Sequence, residues 1–410
     1  MSHRAVITGI GVVAPTGLGV RAHWENGLAG RSGIRPLAGG AELPVKVAGQ
    51  VAAFDESEHV EHRLVVQTDR WTWMALAATE LALADARLDP LQEFPFHLSV
   101  ITSSSSGGNA FGQREIEALY RSGPRAVSAY QSIGWFYAAS SGQISIRHRV
   151  KGACGVIVSE GAGGIDALAQ AARLIRRGGQ AVIAGGTEAP LSPYAIVCQA
   201  GQPTLSGEHD PARAYRPFAP DAGGFVPGEG GAMLVVEEWH RAHMRPAATV
   251  YAEIAGTAAT HDARHHTAPP ADGRQLARAA REALARAGCG AGDVDAVFAD
   301  GAGDPAGDGA EAAALAEVFA GRSVPVTVPK TMTGRLSSGG AALDVAWAAL
   351  ALHHGVLPPT VNVPAAPKGL DLVTEPRRLP GMRTVLVLAR GAGGFNAAAV
   401  LRAPDRRARP

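Results

Sequence analysis

The run Val156-Ile-Val-Ser-Glu-Gly-Ala-Gly-Gly-Ile-Asp-Ala-Leu168 reads as an apolar strand, a sharp turn of small residues and the first turn of an amphipathic helix. Acyl-transferring enzymes mount a nucleophile on corners of this kind. The helix N-terminus there offers free N–H groups and the positive end of the helix dipole. The position where the nucleophile would stand is Gly161. Glycine has no side chain to attack with, so the corner is built and its chemistry is missing.

No other residue takes over that role. Cys154, Cys198 and Cys289 are scattered and form no CxxC pair, which argues against metal and redox frameworks and fits a reducing cytosol. Cys154 falls at the N-terminal end of the strand and reads as a small buried residue. His265-His266 lie in a stretch, 256–274, that reads as a long surface loop, where adjacent histidines are solvated. No metal and no cofactor are expected.

The elements that position the corner occur twice. A helix at 71–88 leads to a strand at 98–102 and small residues at 103–108. A helix at 276–287 leads to a strand at 294–299 and the run 301–303. Gly163-Gly-Ile-Asp-Ala-Leu168 opens a helix ending at Gly178, followed by a strand at 181–184. Gly339-Gly-Ala-Ala-Leu-Asp344 opens one ending at Gly355, with a strand at 384–389 beyond it. The reading is an α/β chain of two similar halves, 1–245 and 246–403, joined around Met244-Arg-Pro246, with a frayed tail at 404–410.

Composition agrees. The 410 residues are 46% hydrophobic and 18% charged, as in a well-buried globular protein. A formal net charge of +1 gives no global field for nucleic acid or anionic membranes. The first apolar run, 5–15, is broken by Gly9 and Gly11 and reads as a buried strand rather than a signal helix. No window reaches a membrane span, and a cytoplasmic location is expected. Lys46, Lys151, Lys330 and Lys368 are the only lysines, which singles out any lysine inside a motif.

Several stretches, in order along the whole chain, resemble the thiolase-like β-ketoacyl synthase family. They are Val6-Ile-Thr-Gly-Ile-Gly-Val-Val-Ala-Pro-Thr-Gly17, Arg216-Pro-Phe218, Gly224-Phe-Val-Pro-Gly-Glu-Gly-Gly231, Lys330-Thr-Met-Thr-Gly334 and Gly393-Gly-Phe-Asn396. The resemblance implies a thiolase-like fold of two pseudo-repeated halves, with mostly parallel sheets layered between helices. Condensing members use a corner Cys, two His and a Lys. Here the matching residues are Gly161, Asp300, Arg335 and Lys330, so only the lysine survives. An ionised Asp300 would repel enolate charge, and Arg335 stays cationic and serves as neither acid nor base near neutral pH. Asp300 and Arg335, opposite charges at the two former His positions, are expected to pair.

Loss of Cys and both His on an intact scaffold is similar to the chain length factor, the ketosynthase β subunit of type II aromatic polyketide synthases. Trp135-Phe-Tyr-Ala138, Gly142-Gln-Ile-Ser-Ile-Arg-His148, Phe298-Ala-Asp-Gly-Ala-Gly303, Val326-Thr-Val-Pro-Lys-Thr331 and Gly334-Arg-Leu336 carry that likeness, closest to the actinorhodin-type subfamily. It implies a catalytic ketosynthase α subunit as partner, contact with an acyl carrier protein mainly through that partner, and a share in the polyketide tunnel. The family's usual corner Gln is replaced by Gly161, which weakens the alternative of a malonyl decarboxylase. The other alternative is a purely structural partner. By the resemblance, Asn109, Gly112 and Ile116 are the length-setting positions. Spaced by three and four, they share one helix face, and the first and last of them lack the bulky aromatics that octaketide-type members tend to carry there. A product longer than an octaketide follows. Trp135, Phe136 and Tyr137 are the candidates for the subunit interface.

Overall fold

The computed structural model describes residues 3–404, apart from 38, 246–248, 365, 366 and 368. The expected tail beyond residue 404, and the 246–248 part of the expected join, lie outside the described residues. In strand β1 (Ala5–Ala14) every residue is buried, as its apolar run requires. The two glycines in it are steric necessities. A Cβ on Gly9 would stand 2.3 Å from the Ala82 carbonyl oxygen, and one on Gly11 1.8 Å from that of Ala78. Helix α1 (Arg70–Ala86) therefore lies directly on the strand backbone.

The first half continues with β2 (Leu98–Ser103), β3 (Cys154–Ile157), β4 (Ala181–Glu188) and β5 (Gly230–Glu238). The second contributes β6 (Ala252–His261), β7 (Ala296–Phe298), β8 (Pro325–Thr327), β9 (Thr384–Gly391) and β10 (Phe395–Arg402). Across the sheet the order of these ten is β8-β7-β9-β10-β6-β1-β5-β4-β2-β3, and a two-residue strand, Asp371–Leu372, adds in parallel to β8 at the edge. Each half thus arranges its five main strands in the same order, first-fifth-fourth-second-third, counted from the centre. The outer strands pair in parallel, β4 with β2 and β2 with β3, and likewise β9 with β7 and β7 with β8. The central ones, β1 with β5 and β6 with β10, are antiparallel, so the sheet is mixed.

Two further helices form the middle of the molecule, α3 (Gly163–Arg176) and α6 (Ser338–His354). (Here α2 is Asn109–Ser122, α4 is Arg274–Arg286 and α5 is Pro305–Phe319.) Nearly all of α6 is buried, as befits a helix apolar on all sides. A Cβ on Gly164 would come within 2.2 Å of the Ala342 backbone nitrogen, so this glycine of α3 lets the two helices cross backbone to backbone, while Gly339 of α6 lies against strand backbone, where its Cβ would stand 2.4 Å from the Gly230 carbonyl oxygen. Their shared core joins residues from both halves. A second core packs α1 on the first half, and a third packs α4 and α5 on the second.

Two local expectations need correction. Residues 256–261, read as the start of a surface loop, belong to β6, which pairs along its length with β10. Its Ala-rich sequence has weak strand propensity, and the ladder supplies the preference that the side chains lack. Cys154 is exposed rather than buried, and it opens β3 at the edge of the sheet instead of preceding it.

Candidate functional site

The corner forms as its sequence suggests. A short turn at Glu160–Ala162 links β3 to α3, and Gly161 is buried within it. Glu160 holds φ at 48°, a left-handed conformation uncommon for a residue with a side chain. A Cβ on Gly161 would stand 2.4 Å from the carbonyl oxygen of Arg390. The place a nucleophile would occupy is therefore filled by backbone, not merely vacant.

Asp300 follows β7, and Arg335 precedes α6. They meet as a bidentate pair: Arg335 Nη1 donates to Asp300 Oδ2 at 2.9 Å, and Nη2 donates to Oδ1 at 3.0 Å. The same guanidinium donates to the carbonyls of Asp300, Gly301 and Arg390 at 3.2, 3.3 and 3.1 Å. The Arg390 N–H in turn donates to Asp300 Oδ1 at 3.0 Å, and the Ala392 N–H donates to Glu160 Oε2 at 2.8 Å. The ion pair thus holds the Arg390 backbone down over Gly161, and Glu160 separately holds that of Ala392.

Lys330 is buried below. Its Nζ lies 2.6 Å from Asp344 Oδ2 and donates to the Asp300 carbonyl at 3.0 Å. Asp344 is the acid inside the otherwise apolar run of α6, and this cation is its partner. Burial pushes the Asp300 carboxyl up, but the Arg335 and Lys330 charges outweigh it and hold the pKa at about 2. Burial raises Asp344 above the usual carboxylate range despite Lys330. Glu311 on α5 accepts the N–H groups of Asp300 and Gly301 at 2.7 and 2.8 Å. Burial, followed by the nearby Asp300 charge, raises it to about 7.

The motif segments converge on these residues. Tyr215, fully buried beside Arg216-Pro-Phe218, donates its hydroxyl to the Gly301 carbonyl at 2.6 Å. Arg335 N–H donates to the Val226 carbonyl at 2.8 Å, inside the Gly224–Gly231 stretch. Above the pair lies a cavity of about 520 Å³ that reaches Glu160, Gly161, Asp300, Arg335, Arg390 and His266. His265 and His266 stack at 4.4 Å in an exposed loop. The described residues contain no group of three or more His, Cys, Asp and Glu able to hold a metal, and no helix long and apolar enough to cross a membrane.

The resulting site holds cations and anions that are already committed to one another. At the corner no side chain stands in for a nucleophile, and Lys330 and Arg335 are neutralised by carboxylates at contact distance. Sequence reasoning found Gly161, Asp300, Arg335 and Lys330 but missed Asp344, Glu311 and the Glu160 contact. A lone acid in an apolar helix was the available signal for Asp344.

Asn109, Gly112 and Ile116 lie apart from this centre, on α2. With Gln131, Trp135 and Tyr194 they line a separate cavity of about 230 Å³. Trp135 and Phe136 are half exposed, and Tyr137 less so. Of this aromatic trio, Trp135 turns into the cavity.

Residues 2–242 match the family "Beta-ketoacyl synthase, N-terminal domain", and residues 251–364 match "Beta-ketoacyl synthase, C-terminal domain". The tetracenomycin polyketide synthase ketoacyl synthase beta subunit of Streptomyces glaucescens is 52% identical over 402 residues, covering 97% of this chain and 98% of that relative. Among solved structures, the ishigamide ketosynthase/chain length factor superposes with a TM-score of 0.91 at 26% identity, over 98% of this chain and 100% of that one. A type II polyketide synthase acyl-carrier protein in complex with its ketosynthase bound to the hexaketide gives a chain with a TM-score of 0.89 at 29% identity, over 98% and 100%.

Proposed function

Because the chain belongs to the beta-ketoacyl synthase family yet lacks the nucleophilic Cys and both His that condense acyl thioesters, keeping only Lys330, we propose that it is the chain length factor of a type II polyketide ketosynthase. It is the non-catalytic member of a heterodimer. A catalytic α subunit supplies the reactive Cys and receives the acyl carrier protein, and this chain shapes the tunnel in which the poly-β-ketone grows. The fold is thiolase-like. The repeated strand order supports a division into halves at 1–245 and 246–403. The reading places the protein in the cytoplasm.

One observation carries the non-catalytic assignment: the Arg390 carbonyl stands where a side chain at Gly161 would begin, latched there by Asp300 and Arg335. Condensation needs a nucleophile and free donors for the enolate. Here the donors are already taken by carboxylates and carbonyls. The same commitment of Lys330 to Asp344 weighs against decarboxylation of a malonyl thioester at this site.

Length control is assigned to the α2 cavity. Asn109 and Ile116 are smaller than the aromatic residues that octaketide-type members tend to carry at these two positions, and Gly112 leaves space between them, so the product is longer than an octaketide, a decaketide or beyond. The test is co-expression with a catalytic ketosynthase and an acyl carrier protein, followed by mass analysis of the products. Condensation by this chain alone would refute the non-catalytic role. Octaketide products would refute the length assignment.

A further inference from the structure

The α2 cavity has a wall that does not belong to α2. The chain at 134–135 is laid onto the first turn of that helix, backbone to backbone at Gly108 and against the Phe111 ring at Gly134. A Cβ on Gly108 would stand 2.0 Å from the Gly134 carbonyl, and one on Gly134 would stand 2.8 Å from the Phe111 ring. The Gly108 N–H donates to the Trp135 carbonyl at 3.3 Å. These glycine contacts fix the backbone of Trp135. Its indole then runs along the bare face of Gly112, where an added Cβ would come to 3.1 Å from Trp135 Cδ1. That is closer than a side-chain methyl normally packs, so even alanine at 112 must push the ring.

The cavity also carries an unsatisfied polar atom. Gln131 Oε1 is buried and has no hydrogen-bond partner among the described residues. An amide left this way invites a partner from the occupant, and its oxygen and nitrogen ends can exchange by a flip. An enol hydroxyl would donate to this oxygen, or after the flip the amide N–H would donate to a ketone oxygen; an alkyl chain would do neither.

We propose that Trp135 is a specificity-determining residue for chain length. Braced on Gly112, its indole forms the end wall for an oxygenated chain that reaches Gln131. The proposal rests on reading this chain as the length-setting subunit. Substitutions at Gly112 then act partly through Trp135, by moving the ring into the cavity.

The test uses this chain with a catalytic ketosynthase and an acyl carrier protein, reading product mass and co-purification of the two subunits. Trp135→Ala is expected to leave the complex assembled and to lengthen the product by one or more ketide units. Trp135→Phe, which keeps an aromatic wall, should give the parental length or a mixture. Gly112→Ala should shorten the product, and adding Trp135→Ala should abolish that shortening. If Trp135→Ala leaves product length unchanged in an intact complex while Asn109→Phe or Ile116→Phe shortens it, Trp135 is not the wall and the tunnel reading stands. If Phe at 109, 112 and 116 also changes nothing, the length-setting reading itself fails. If both Trp135→Ala and Trp135→Phe lose the partner subunit, Trp135 is an interface anchor and the proposal is overturned.

Discussion

Replacing Asp300 by Asn tests the physical role of the degenerate site. The two side chains are nearly isosteric, so packing changes little and charge changes most. Asp300 gives up its carboxylate to two guanidinium hydrogen bonds of 2.9 and 3.0 Å and one backbone N–H bond of 3.0 Å. In the variant Arg335 keeps only carbonyl partners on this side, while Lys330 retains Asp344. Removing one member of a buried ion pair costs about 3–5 kcal/mol. The remaining carbonyls argue for the lower end, about 3 kcal/mol. Because the Asp300–Arg335 pair latches the Arg390 backbone, the loss should be local before it is global. About 3 kcal/mol corresponds to roughly 100-fold. Hydrogen exchange of the Arg390 amide should therefore accelerate by about that factor, together with a lower melting temperature. Arg335→Met should cost less, since Lys330 and the Arg390 N–H still face the carboxylate. The Asp300→Asn/Arg335→Met double variant should cost less than the sum of the two singles. Unchanged exchange at Arg390 in both single variants would refute the latch.

Three further outcomes follow from the same geometry. Gly161→Cys should lower stability by about 1–3 kcal/mol through its clash with the Arg390 carbonyl and should form no acyl-enzyme, checked by thermal melting and intact mass after exposure to an acyl thioester. Glu311 has its pKa raised by burial from 4.5 to about 7, so the folded state holds that proton more tightly than the unfolded chain does. Stability from this group is full below about pH 4.5 and is lost as pH rises through 7, and Glu311→Gln should flatten the melting temperature of the protein across that window. Phe at Asn109, Gly112 or Ile116 should shorten the polyketide while the heterodimer still co-purifies, seen by product mass and size-exclusion chromatography.

The repeated Gly-Gly helix openings made the two-fold architecture legible, because a helix start laid directly on neighbouring backbone has to be written as glycine. The charged replacements at 300 and 335 were legible as a pair, because opposite charges at two neighbouring positions have one inexpensive arrangement when buried. What sequence could not show was set by contacts distant along the chain. Residues 256–261 become a strand only because β10 lies beside them. Nothing local to Gly161 announces that the carbonyl of Arg390 occupies the space beside it. The turn of Trp135 into the α2 cavity likewise depends on the missing side chains of Gly108, Gly112 and Gly134. An aromatic trio alone reads equally well as an interface.

The central claim is that this chain sets product length without performing chemistry. Its most direct test pairs the chain with a catalytic ketosynthase that normally makes octaketides, supplies acyl carrier protein and malonyl units, and measures product mass. The account predicts that the heterodimer makes chains longer than an octaketide, with acyl label found only on the partner's cysteine. Octaketide products from that heterodimer, or acyl label on this chain, would contradict it.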